Sequence, residues 1–134
     1  MRLRLAALVF LLGLSACGGE ATTANVNGTG EPLALSDLTG KWANDSVTLR
    51  VNDAGDFVVL SAGDQDQTDP LLAGFVARDE AELIFVNGIG GQCPGQSGVY
   101  GAAIDEGTLT LSLVEDPCPA RVAWFQTPLA RVED

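Results

Sequence analysis

The chain has 134 residues, enough for one domain, and with 46% hydrophobic and only 19% charged residues it is too apolar to be disordered. Its 7 Lys+Arg stand against 18 Asp+Glu, a formal net charge of -11, and such a surface repels phosphate backbones and disfavours nucleic-acid binding. There is no His, so a His-dependent triad or a His zinc site is excluded and the commonest general base is missing.

Arg2 and Arg4 precede an apolar run over residues 5–14. As a helix that run covers about 15 Å, roughly half a bilayer core, so it reads as the hydrophobic region of a signal peptide and not as a membrane span. Leu14-Ser15-Ala16-Cys17-Gly18 follows directly. This resembles the lipobox of bacterial lipoproteins. The resemblance implies cleavage before Cys17, a diacylglycerol thioether on its sulfur and a fatty acyl group such as palmitate on its amino group. Each buried CH₂ is worth about 0.8 kcal/mol, so two or three acyl chains make a firm anchor. Gly18 stands where an Asp would resemble an inner-membrane retention signal. The implied location is therefore the bacterial envelope, on the outer membrane facing the periplasm or surface in preference to the inner membrane. The expected organisation is a signal peptide over 1–16, a lipidated Cys and flexible tether over 17–34, and a folded domain over 35–134.

Within the domain the apolar pattern has period two. Residues 33–38 suit one short helical turn. Strands are expected over 46–51, 56–60, 74–78, 81–86, 99–104, 108–113, 121–126 and 129–132, with turn signals every 8 to 12 residues. The strand over 121–126 places Trp124 and Phe125 on opposite faces. No stretch carries a long helical period. The expected fold is all-β, with about eight short antiparallel strands that form a sandwich or, closing on themselves, an up-and-down barrel.

Cys93 and Cys118 remain once Cys17 is assigned to lipid, an even pair in an oxidising compartment. Each sits in a turn-rich segment, and a disulfide is expected between them. No Cys-x-x-Cys and no neighbouring His or Lys supports a redox-active thiol.

Gly40-Lys41-Trp42, just before the first expected strand, resembles the Gly-x-Trp opening of lipocalin-like (calycin) barrels. Further along, Cys93, Gly98-Val99-Tyr100, Leu109-Thr110-Leu111 and Asp116-Pro117-Cys118-Pro119-Ala120-Arg121 follow the order of small bacterial lipocalin-like lipoproteins. The Thr-Asp-Tyr triplet of classical lipocalins is absent, and META-type lipoprotein domains are a second structural possibility. The resemblance implies that Trp42 plugs one barrel end and that an Arg, either Arg121 or Arg131, closes over its ring. Arg121, three residues after Cys118, is a candidate either for that stack or for a structural ion pair.

Candidate chemistry is sparse. Asp64, Asp66 and Asp69 cluster in one loop, yet they lack the Gly and the terminal acid of a calcium loop and read as solvated, so no metal is expected. The acid pairs Asp105/Glu106 and Glu115/Asp116 fall in turns, no Ser has a His or Ser-x-x-Lys partner, and the Gly-rich segment over 87–98 lacks the setting of a phosphate cradle. Neither an enzyme nor a cofactor is expected. Two functions stay open. In one, a small apolar or amphipathic molecule sits in the barrel mouth among inward residues such as Val47, Leu49, Phe57, Phe85, Leu109 and Leu111, with Phe57, Phe85 and Trp124 as its candidate contacts. In the other, those side chains fill the barrel and its loops bind an envelope protein. An internal volume of about 300 Å³ or more favours the first.

Overall fold

The computed structural model describes residues 33–64 and 69–133. The signal region, Cys17, most of the tether and Asp66 lie outside the described residues. The described elements are α1 (Leu35–Leu38), β1 (Gly40–Ala43), β2 (Val47–Val51), β3 (Asp56–Ser61), β4 (Leu72–Asp79), β5 (Glu82–Asn87), β6 (Ser97–Asp105), β7 (Thr108–Glu115), α2 (Pro119–Phe125) and β8 (Leu129–Val132).

The eight strands close into one antiparallel up-and-down barrel in chain order, with β1 pairing β8 through Trp42 and Arg131. Alternation drives the closure. In β2, Val47, Leu49 and Val51 are buried while Thr48 and Arg50 face outward, and β7 starts the same way with Leu109 and Leu111. Turn chemistry holds the register. The Asn52 side-chain carbonyl accepts the backbone N–H groups of Ala54 and Asp56 at 3.0 and 2.9 Å. Between β6 and β7, Glu106 and Gly107 take φ values of 48° and 76°, the paired left-handed conformation that matches the twist of a tight hairpin.

The barrel seam is uneven. β6 and β7 pair along nearly their whole length, whereas β7 and β8 share only Thr108↔Ala130 and Leu109↔Leu129. Past that point α2 lies against β7 where a strand would otherwise continue. Of residues 121–126, expected as a strand, 121–125 thus belong to a helix and Gln126 is its C-cap. Pro119 sits at its first position with a preset φ and Cys118 provides an extended N-cap. The helix turns Arg121 and Phe125, one turn apart, into the barrel. Trp124 and Phe125 are therefore neighbours on a helix and not opposite faces of a strand. The strand count stays at eight because Gly40–Ala43, expected only as a lead-in, is β1.

The core is contiguous from end to end. At one end Leu33 and Leu38 pack on Trp42, whose indole N–H donates to the Leu38 carbonyl at 2.8 Å. In the middle, Phe85 meets Phe57 edge-on at 5.3 Å and Tyr100 edge-on at 5.8 Å, and Phe125 of α2 closes the group at 5.2 Å from Phe85 and 5.5 Å from Tyr100.

Candidate interaction site

Two features of the described barrel carry chemistry: a buried polar cluster beneath α2 and a cleft along the β7–α2 seam. The cluster centres on Arg121, which like the Asp116 side chain has no solvent exposure. Its guanidinium grips Asp116 with two donors, Nε to Oδ2 at 2.6 Å and Nη2 to Oδ1 at 2.8 Å, and Nη1 donates to Asn87 Oδ1 at 2.5 Å. Asn87 in turn donates to the carbonyl of Cys93 at 2.9 Å. Asp116 also accepts the Tyr100 hydroxyl at 2.5 Å and the backbone N–H of Cys118 at 2.8 Å. The Cys93–Cys118 disulfide ties the same two segments together, with Cα atoms 5.7 Å apart.

Glycine makes room for the pair. A Cβ at Gly98 would lie 2.6 Å from Asp116 Cγ and 2.9 Å from Arg121 Nη2. Burial alone would push the Asp116 carboxyl up, but the donors from Arg121, Tyr100 and Cys118 outweigh it and hold the group below its ordinary value. Burial, helped by the acceptor Asp116, pushes the Tyr100 hydroxyl well above 10.0. The pair is thus charged and Tyr100 neutral across the physiological range. Its carboxylate and guanidinium are committed to one another, which suits a clamp and not a reagent.

The cleft has a volume of about 310 Å³ and is lined by Tyr100, Leu111, Leu113, Val122, Phe125 and Gln126. It opens where β8 leaves β7. Val99 pairs Glu115 while Tyr100 pairs Leu113, so Val114 is an extra, bulged residue. The bulge leaves Leu113 and Val114 each 53% exposed on the rim.

The expected site residues fall as follows. Arg131, from the last strand, places its guanidinium carbon 4.1 Å from the Trp42 ring centroid and donates to the Thr39 and Asp37 carbonyls. Arg121 is remote from that stack, committed to Asp116. Phe57 and Phe85, candidate ligand contacts, are fully buried against one another, and Trp124 is half-buried on α2. Among the described residues no group of His, Cys, Asp and Glu comes together to hold a metal ion. Also among them, no helix is long and apolar enough to cross a membrane. Asn87 was not singled out from the sequence, and Gly98 and Asp116 entered it only as members of motifs and, for Asp116, of an acid pair in a turn, not as partners of Arg121. The signal for Asp116 was its place five residues before Arg121 across Cys118. The signal for the cleft was Leu113-Val114, where the alternation of β7 breaks.

Comparison with protein families, with curated proteins and with solved structures finds no match to this chain.

Proposed function

We propose that this chain is a lipid-anchored lipoprotein of the bacterial envelope whose lipocalin-like barrel is filled and acts as a rigid, non-catalytic interaction module. The single observation that supports the filled-barrel reading is the interior itself. Phe57, Phe85, Tyr100 and Phe125 meet edge to face or at a tilt through the space a carrier would leave open, and Tyr100 ties the group to the buried Asp116–Arg121 pair. The anchor rests on the lipobox at Cys17, and the net charge of -11 favours a domain that stands off an anionic membrane surface. Outer-membrane attachment facing the periplasm or surface follows from Gly18 after Cys17.

The test has two parts. Replacing Cys17 by Ala should move the chain from the membrane to the soluble envelope fraction, and a variant still in the membrane would remove the anchor from the proposal. Cross-linking the full-length chain in intact envelopes should then give a defined protein adduct. A second reading, favoured by the seam cleft of about 310 Å³, is a small apolar or amphipathic ligand bound there instead of in the barrel mouth. Native mass spectrometry separates the two, since a stoichiometric adduct of a few hundred daltons would favour the ligand.

A further inference from the structure

We propose that the open edge of β7 over residues 110–113 docks an extended, basic segment of another protein, which adds a strand to the barrel and sets its apolar side chains into the β7–α2 cleft. The proposal rests on the interaction-module reading and names the chemistry of the partner.

A closed barrel normally removes its edges, and proteins that keep one blunt it with Lys, Pro, inward charge, a bulge or a covering helix or loop. Among the described residues β8 covers only Thr108 and Leu109 of β7, while β6 pairs the other side through Ala103↔Thr110, Ala102↔Leu111, Gly101↔Ser112 and Tyr100↔Leu113. The stretch Thr110-Leu111-Ser112-Leu113 has no strand partner on this side among the described residues, faces α2 across the cleft, and carries no Lys, Pro or inward charge. It ends at the Val114 bulge, which stops strand pairing there. A strand laid along it is held by main-chain hydrogen bonds, and alternate side chains fall toward Leu111, Leu113, Val122 and Phe125.

Charge selects the occupant. β6 and β7 contain no Lys or Arg, and Arg121 of α2 is buried against Asp116. Exposed acids flank the stretch along the chain, with Glu115 just past its far end and Asp105 and Glu106 at the hairpin beyond the β8-covered Thr108 and Leu109. A second copy would bring the same acids and repel, as would the tether, which carries Glu20 and Glu31 and no base. An alternating apolar segment with Lys or Arg at its ends satisfies both the cleft and its rim.

The experiment uses the full-length chain in discs of zwitterionic lipid and the synthetic peptide acetyl-Lys-Thr-Val-Thr-Val-Thr-Lys-amide, read by hydrogen exchange. Saturating peptide should slow exchange over residues 110–113 about tenfold, less so as salt rises. A version N-methylated on alternate residues, and one with Glu at both ends, should not. Leu113→Asn, at a half-exposed position and without change of charge, should weaken binding about tenfold at unchanged melting temperature. The proposal is overturned if the Glu-ended peptide protects equally, if protection appears only elsewhere, or if the edge is already covered in the free anchored chain by its own residues 17–32. When the edge fails but envelope cross-links from other faces persist, the module reading survives without this site. When both fail, the module reading falls with it.

Discussion

Arg121→Met is the sharpest perturbation of the buried cluster. It removes three Arg121 donors at once, two that bond Asp116 and one that bonds Asn87 Oδ1, in a place without solvent. Breaking a buried pair by deleting one partner costs about 3–5 kcal/mol, because the remaining charge is left uncompensated. For a domain of this size that is a fall in Tm of roughly 15 °C or more. The pH dependence gives a second reading of the same cause. In the parent chain Asp116 is held below its ordinary value, so its stabilising contribution is present above about pH 4 and is lost as pH falls through the folded value. Without Arg121 the largest influence on the carboxyl is burial, which raises it, and protonation then relieves the variant. The destabilisation should therefore be greatest at pH 7 and shrink toward pH 4. Adding Asp116→Asn to Arg121→Met should recover about 1–3 kcal/mol at pH 7, since it removes the stranded charge. Urea unfolding followed by circular dichroism at several pH values measures all three. A loss of the same size at pH 7 and pH 4, or a Tm within a few degrees of the parent, would refute the clamp.

Three further outcomes follow from the same geometry. Replacing both Cys93 and Cys118 by Ala opens a 25-residue separation and should cost about 3–4 kcal/mol on the chain-entropy model, read as a lower urea midpoint. Gly98→Ala drives a methyl group into the Asp116–Arg121 pair and should cost about 1–3 kcal/mol, whereas an unchanged Tm would mean the pair has slack. Arg131→Ala uncovers the Trp42 ring and should cost about 0.5–2 kcal/mol; in a Trp124→Phe background, Trp42 emission should shift to the red.

Much of the barrel is legible in the residues alone. Alternation in β2 and β7, the Asn52 and Gly107 turns and the regular spacing of short apolar runs all report local geometry, which each segment carries by itself. The Cys93–Cys118 disulfide was legible for a different reason, since reading Cys17 as the residue of a lipobox leaves only one pairing among three cysteines. Residues 121–126 were misread as a strand because Arg-Val-Ala-Trp-Phe has an apolar run short enough to suit either strand or helix. Pro119 and the clamp on Arg121 decide for the helix, and the clamp depends on Asn87 and Asp116 arriving from other elements.

The sequence by itself determined an all-β domain and an acidic composition, because composition and period are properties of neighbours along the chain. The tertiary structure decided that the rings fill the barrel, that Arg131 and not Arg121 covers Trp42, and that β8 abandons β7 after two pairs. Those outcomes depend on register and closure, where residues far apart in the chain meet, and a one-residue slip in any strand would turn its inward side chains outward.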